Sequence, residues 1–445
     1  MAFDAVKYLN DPSWFSSRYG LDRMRDLMGR LGNPQDGLRY VHVAGTNGKG
    51  STCAFLDAAL RAAGYHVGLY TSPYIECFEE RIRVDGENIP PEDLLRLTLR
   101  VREAAEAMQA EALFAGDEDF TDAHPTAFEL MTAVAFLYYA ERGCDIVVLE
   151  VGLGGLLDAT NIIAPPEVAV IVRLGIEHTD ILGKTLPEIA SQKAGIIKPG
   201  SAVVSWPQEP EALDVVQNAA LTCGNDCRVA DFDALAAGEV AWDGDVPPRP
   251  FTYRGVPYRT RLLAAYQPKN AAVALEALDA LRLRGWAIPV AAAQAGMAAC
   301  TWPGRFEVIG TAPLRIVDGG HNPQGADALA ETLDDVLPKA RPIFVIGILA
   351  DKDWPGMLRT LAPYGSAFFC VTPPTPRALP AEQLAEALRE LVGEDIPVTA
   401  CGGFAEAAEG AKALAATSPE SAGTPVAILA TGSLYSVASE KAALR

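Results

Sequence analysis

The chain has 445 residues, 49% of them hydrophobic and 21% charged, and a formal net charge of −20 at pH 7. This is the composition of a soluble globular protein too long for one ordinary core, so two or three domains are expected. The acidic balance argues against a binder of nucleic acid or of anionic surfaces, and an anionic ligand such as ATP would need cations gathered at its site. Along the chain, GLDRMRDLMGRL (20–31) has apolar positions at helical spacing. Residues 38–44 read as a strand running into a glycine-rich loop, 50–63 as a helix, and HVGLYTSP (66–73) as the next strand. A helix is expected near 91–112, then an acidic loop, AGDEDFTDAHP (115–125), then a strongly apolar, buried helix over 126–142. DIVVLEVG (145–152) and VAVIVRLG (168–175) are continuous apolar runs of the kind a parallel sheet buries on both faces. PEIASQKAGII (187–197) reads as helix and SAVVSW (201–206) as a further strand.

The stretch 228–262 is irregular and β-rich, with helices following near 268–284 and 289–299. Proline and glycine interrupt TWPGRFE (301–307), which marks a domain boundary. Beyond it the strand candidates LRIVDGG (314–320), PIFVIGIL (342–349), AFFCVTP (367–373), PVTAC (397–401) and VAILATGSL (426–434) alternate with helices. The predicted fold class is α/β: a P-loop ATPase-type parallel-sheet domain over 1–300, then a smaller Rossmann-like α/β domain over 301–445.

Eight scattered cysteines complete no zinc pattern and read as reduced thiols in a cytoplasmic protein. The start, MAFDAVKYLND, carries acids early and does not read as a signal peptide, and no apolar run approaches the ~20 residues of a membrane helix.

The sharpest local pattern is VHVAGTNGKGST (41–52), with strand, glycine-rich turn and helix in the order a phosphate-binding loop requires. Backbone N–H groups of such a turn, with the helix N-terminus, bind phosphate oxygens, and Lys49 would reach the β and γ phosphates. The usual spelling puts a hydroxyl directly after the lysine; here Gly50 intervenes before Ser51 and Thr52. Glu150 ends an apolar strand, where it is either a magnesium ligand or a solvent-facing acid. Ser72 and His178 also follow strands, so three strands deliver Ser72, Glu150 and His178 to one sheet edge. Asp318 and His321 lie in VDGGHNPQG, a ligand-binding edge or an ordinary Asp/Asn turn.

Taken in order, GTNGKGST, TSPYI with ERIRVDG, EVGLGGLLDATN, EHTDILG, QKAGI, PGRFE, DGGHNP, ILADKD and ATGSLY resemble the folylpolyglutamate synthase/dihydrofolate synthase family of the Mur ligase superfamily. The likeness runs from about residue 8 to 436, nearly the whole chain. It implies the Mur ligase fold, with a glutamate ligase domain over 301–445. It also implies a reaction in which ATP phosphorylates a carboxylate and the amine of L-glutamate displaces phosphate. The residues suit that chemistry, because anionic ATP must be brought against an anionic carboxylate and the charge neutralised.

Carried over by the resemblance, Asn47, Gly48, Lys49, Gly50 and Ser51 are expected to hold the triphosphate, and Ser72, Glu150 and His178 a first Mg2+. Lys193, which by itself reads as a solvated helix lysine, matches a lysine that is carbamylated in the family and binds a second Mg2+. Asn270, Arg305 and Asp318 resemble nucleotide contacts and His321 a residue near the ATP phosphates, so ATP is expected to bridge the domains. Lys49, Lys193 and His321 are the catalytic candidates, and Asp318 and Ser433, the latter in the TGSLY turn, the glutamate-side ones. The chain departs from the family on the pterin side: Tyr74 stands where many members have histidine, Leu156 where many have arginine, and T-E-F-E appears as Thr126-Ala127-Phe128-Glu129. Tyr74, Thr126, Phe128 and Glu129 are thus the folate-side candidates, and the lost arginine favours polyglutamylation of reduced folates over dihydropteroate use. The expected partners are folate, L-glutamate and ATP, with no nucleic acid and no membrane, on a monomer. Two alternatives are a cell-wall Mur ligase, disfavoured by a loop as early as residue 45, and a nucleotide-binding switch, which would not need the DGGHNP and PGRFE segments.

Overall fold

The computed structural model describes residues 3–11, 13, 20–115, 123–242, 246–338, 340–418 and 426–445. Most of the expected acidic loop (116–122) and the first two residues of the chain lie outside the described residues. The chain divides into two units, 1–234 with 269–297, and 235–268 with 298–445.

The first unit begins with α1 (Ala5–Leu9) and α2 (Asp22–Arg30), then β1 (Tyr40–Ala44), α3 (Lys49–Ala62), β2 (Val67–Tyr70), β3 (Ile82–Val84) and β4 (Glu87–Asn88). It continues with α4 (Pro91–Phe114), α5 (Ala127–Glu141), β5 (Ile146–Glu150), β6 (Val168–Ile171), α6 (Thr179–Leu182), α7 (Leu186–Ala194), β7 (Ala202–Ser205), α8 (Pro210–Thr222) and β8 (Cys227–Val229). Nearly all of α9 (Gln267–Leu283) and α10 (Val290–Ala299) also belongs to it. The eight strands run β4-β3-β2-β5-β1-β6-β7-β8, parallel except for the β3–β4 hairpin at one edge. β1 and β5 are buried at every residue, as central strands covered on both faces must be; for β5 the apolar run predicts it, whereas β1 carries His42 in its middle. The helix expected over 126–142 is α5, whose Phe136 and Tyr139 are fully inaccessible. Truncating such a ring typically costs about 3–5 kcal/mol.

α1, β3, β4, α6, α8 and β8 are not among the elements expected from the sequence. The β3–β4 hairpin turns on Asp85-Gly86, both at positive φ (54° and 86°), a dipeptide suited to a two-residue hairpin. α8 and β8 follow β7; α8 buries Ala212, Val216 and Ala220, a four-residue spacing written largely in alanine and so weak in hydropathy.

In the second unit, β9 (Leu235–Ala237), β10 (Arg249–Tyr253) and β11 (Val256–Thr260) form the small antiparallel sheet foreshadowed by the β-rich stretch. The larger sheet comprises β12 (Glu307–Thr311), β13 (Leu314–Asp318), β14 (Ile343–Ile346), β15 (Ala367–Cys370), β16 (Val398–Ala400) and β17 (Ala427–Thr431), in the order β12-β13-β17-β14-β15-β16. It is parallel except for β12, an edge strand unforeseen in the sequence. Helices α11 (Pro323–Val336), α12 (Trp354–Leu361), α13 (Ala381–Val392), α14 (Phe404–Thr417) and α15 (Val437–Leu444) complete it. Trp242 and Arg249 tie the small sheet to α11: the indole N–H donates to the Val336 carbonyl at 2.9 Å, and the buried Arg249 guanidinium pairs with Asp335.

Candidate active site

In the first unit, β2, β5, β1 and β6 are consecutive neighbours, and all four are parallel. Their carboxyl ends therefore lie side by side and lead into Ser72, Glu150, the 45–48 loop and the 172–178 segment respectively. This is the edge at which ligands bind in open α/β sheets.

The loop between β1 and α3 is shaped by two glycines. A Cβ at Gly45 would lie 2.2 Å from Val172 Cγ2, and Gly48 caps α3 at φ 94° with its would-be Cβ 2.5 Å from Asn270 Oδ1. Close packing and left-handed backbone thus exclude side chains at both positions. The Thr46 and Asn47 amides donate to the Arg173 carbonyl at 2.9 and 3.2 Å, tying the loop to the segment after β6. Ser51 is buried in the first turn of α3. Lys49 Nζ reaches back over the loop, 2.9 Å from the Gly45 carbonyl and 3.1 Å from that of Thr46.

Beside it sits a second amine. Lys193, on α7, is 2% exposed, and its Nζ lies 2.8 Å from the same Gly45 carbonyl and 2.7 Å from Glu177 Oε1. Burial, then the charge of Lys49, lowers its pKa to about 8 against the pull of Glu177. Burial would raise the Glu177 carboxyl, but Lys49 and Lys193 hold it below the ordinary range. Glu177 is absent from the sequence-based candidates; the one signal for it is its place beside His178 in GIEHTD. His178 is exposed at the left-handed cap of α6 (φ 47°), a conformation uncommon outside glycine.

Glu150 is buried, and its Oε2 accepts the Ser72 backbone N–H at 3.0 Å, so the ends of β5 and β2 meet as predicted. Carboxylate and hydroxyl oxygens are the hard donors magnesium takes. Among the described residues no three His, Cys, Asp or Glu side chains cluster at metal-binding distance. The expected set holds only two of those types, the Ser72 hydroxyl being its third donor.

The folate-side candidates surround the start of α5. Thr126 and Glu129 form a capping box: the Thr126 amide donates to Glu129 Oε2 at 2.7 Å and the Glu129 amide to Thr126 Oγ1 at 3.3 Å. Arg23 clasps the buried Glu129 with two bonds, Nε to Oε2 at 2.8 Å and a terminal nitrogen to Oε1 at 3.1 Å. Phe128 fills the space over Gly152, where a Cβ would come within 2.4 Å of the ring. Tyr74 lies under the Arg81 guanidinium, 5.1 Å from its ring centroid. Leu156 is 46% exposed, an apolar side chain facing solvent.

In the second unit, β13 ends at Asp318, whose Oδ2 accepts the Phe306 amide (2.9 Å) and Oδ1 that of Gly320 (2.8 Å). Burial raises the Asp318 carboxyl, while Arg305 and these amides oppose the shift. Phe306 holds φ 49°, a strained conformation for an aromatic residue, in the segment carrying Arg305. His321 Nδ1 is 3.0 Å from the Gly319 carbonyl. Ser433 is inaccessible and caps the TGSLY turn, its Oγ accepting the Tyr435 amide at 3.2 Å. Behind this turn lies Glu440, also unforeseen, since an acid on a C-terminal helix reads as solvated. It is fully buried, and its carboxyl is raised to about 8, by burial first, against the Ser436 hydrogen bond, and by Asp318.

Comparison with known proteins places the chain in a family. The Mur ligase middle domain matches residues 43–278, and the Mur ligase glutamate ligase domain residues 304–434. The chain is 38% identical over 394 residues to the dihydrofolate synthase/folylpolyglutamate synthase of Bacillus subtilis (strain 168), covering 86% of this chain and 88% of the relative. It is 38% identical over 378 residues to the folylpolyglutamate synthase of Lacticaseibacillus casei, covering 83% and 84%. The solved Mycobacterium tuberculosis folylpolyglutamate synthase complexed with ADP and AMPPCP superposes with a TM-score of 0.85 at 31% identity, covering 99% of this chain and 97% of that one. Two Mur ligase domains in sequence and full-length relatives well above 30% identity make this chain a member of the folylpolyglutamate synthase/dihydrofolate synthase family of the Mur ligase superfamily.

Proposed function

We propose that this chain is an ATP-dependent ligase that joins L-glutamate to the glutamyl carboxylate of reduced folates through an acyl phosphate. The observation that carries the reading is the meeting of Lys49 and Lys193 on one loop carbonyl at the carboxyl edge of the sheet. There the Lys49 ammonium can offset the charge of a triphosphate brought against a carboxylate, and Lys193, once carbamylated, would do so through the cation it binds. The amides of Asn47–Ser51 and the Lys49 ammonium bind the phosphates, with Asn270 beside Gly48. Ser72, Glu150 and His178 would hold a magnesium ion, which when bound neutralises the phosphate oxygens and orients the transferring group. Lys193 has the burial and the lowered basicity that favour a neutral amine, the form that adds CO2 to give a carbamate. That carbamate would bind a second ion. From the second unit we assign Arg305, Asp318 and His321 to the nucleotide, and Asp318 with Ser433 to the incoming glutamate. Phe128 and Tyr74 would contact the folate, with Thr126 and Glu129 fixing that end of α5. In domain terms, 1–300 would bind ATP and 301–445 ligate glutamate.

The folate carboxylate oxygen attacks the γ phosphorus and ADP leaves. The glutamate nitrogen then attacks the acyl carbon and loses a proton as phosphate departs. Purified protein with tetrahydrofolate, ATP and glutamate should release phosphate and lengthen the folate by glutamate only when all three are present. Phosphate release indifferent to glutamate and folate would refute this. Dihydropteroate is a second acceptor to test, because the Bacillus subtilis relative is named for both activities. Leu156 in place of arginine favours the folate arm of that comparison.

A further inference from the structure

We propose that His42 is a positioning residue for the ligase reaction, acting through Thr160 and Asp158 to hold the backbone that follows Glu150. His42 lies in the middle of β1, just before the phosphate loop, and is wholly inaccessible between Leu149 of β5 and Ala169 of β6. A polar ring in a central strand is costly unless it makes a needed bond. Its Nε2 is 2.9 Å from Thr160 Oγ1, and Thr160 Oγ1 is 2.5 Å from Asp158 Oδ1. Asp158 in turn collects the loop: Oδ1 accepts the Thr160 amide at 3.0 Å, Oδ2 the Leu153 amide at 2.8 Å, and the Gly152 amide also donates to the carboxylate.

Hydrogen counting sets the direction of the chain. Both Asp158 oxygens already accept backbone N–H groups, so the carboxylate acts as acceptor and the single Thr160 hydroxyl hydrogen points to it. Thr160 Oγ1 can then only accept from the ring, which makes His42 the Nε2–H tautomer. The other ring nitrogen, Nδ1, is buried without a hydrogen-bond partner. A protonated ring would need a second acceptor there. Burial and the nearby Lys198 accordingly push the imidazole down to about 3. Lys198 binds the Asn161 and Ile163 carbonyls at 2.8 and 2.5 Å, pinning the far side of the same turn. The relay therefore joins the strand that carries the phosphate loop to residues 152–153, two and three positions beyond Glu150.

The activity arm of the test rests on the function proposed above; two further arms do not. Thr160→Val and His42→Met remove the relay, whereas Thr160→Ser keeps the hydroxyl and His42→Gln can keep a donor near Nε2. We expect kcat for glutamate addition to fall about 10- to 100-fold in the first pair, the usual scale for a partner that orients a ligand-bearing segment, with KM for ATP unchanged. The second pair should recover most of it. If His42→Met fails to fold, the Thr160→Val and Thr160→Ser pair decides the matter. Nitrogen NMR of the histidine rings should show a neutral Nε2–H tautomer for His42 at pH 7, and the Leu153 amide should exchange faster in Thr160→Val. A lowered melting temperature with unchanged kcat, a His42 Nδ1–H tautomer, or unaltered Leu153 exchange would each overturn the proposal. A wild-type protein inactive on folates would overturn the functional reading instead, leaving the NMR and exchange arms to judge the relay.

Discussion

Replacing Lys193 by methionine separates a residue kept for chemistry from one kept for stability. Methionine has a similar reach, so it fills the same buried channel without an amine. In the folded chain the Lys193 pKa falls from 10.5 to about 8. A drop of roughly 2.5 units, at about 1.4 kcal/mol each, means that burying the charged amine costs the native state ~3 kcal/mol below pH 8. Below about pH 8 both states are protonated and the full penalty applies. Between about 8 and 10.5 the native amine loses its proton while the unfolded one keeps it, so wild-type stability rises with pH. Glu177 keeps Lys49 as a charged neighbour, so the variant does not strand an uncompensated carboxylate. In CO2-free buffer, Lys193→Met should therefore be within about 1 kcal/mol of wild type at neutral pH, or more stable. Wild type should gain on it by ~3 kcal/mol between about pH 8 and 10.5. Ligase turnover should meanwhile fall at least ~100-fold. Urea unfolding of both proteins across this range, with coupled assay of ADP release, measures all three. A variant destabilised by ~3 kcal/mol or more at pH 7 that still turned over would show the amine to be structural, and a pH-independent difference would refute the burial argument.

Gly48→Ala should raise KM for ATP sharply while lowering stability by only ~1–2 kcal/mol, because its Cβ meets Asn270 at 2.5 Å and its φ is 94°. ATP titration calorimetry beside thermal melts would separate the two effects. Arg23→Met should destabilise by about 3 kcal/mol by stranding buried Glu129, and adding Glu129→Gln should restore much of this; denaturant midpoints check it, and additive losses would refute the coupling. The Ser436 hydroxyl lies 2.9 Å from the Ser433 carbonyl and donates to Glu440 Oε1 at 2.6 Å, a bond too weak to offset the burial of that carboxyl. The Glu440 carboxyl, 4.5 when free and about 8 when folded, contributes fully below about pH 4.5 and loses that contribution as pH rises towards 8. Glu440→Gln should abolish this slope of up to ~1.4 kcal/mol per unit, read from melting curves across the range; an unchanged slope would place the titration elsewhere.

Local order along the chain determined much of this protein: the alternation of strand and helix, the glycine-rich loop after residues 40–44, and the acid and hydroxyl at the ends of two strands. These are visible because backbone conformation, periodicity and strand-end placement are short-range properties. Strand order is not, and only the tertiary structure set β2, β5, β1 and β6 side by side so that Ser72, Glu150 and Lys49 share one edge. Only folding brings Glu177 and Lys193, sixteen positions apart, to 2.7 Å, and His42 to Thr160 across 118 positions. The same holds for burial. A lysine on a helix and a glutamate near the chain end read as solvated charges, and it is the packing of other segments around them that strips their water and shifts Lys193 and Glu440 towards neutrality.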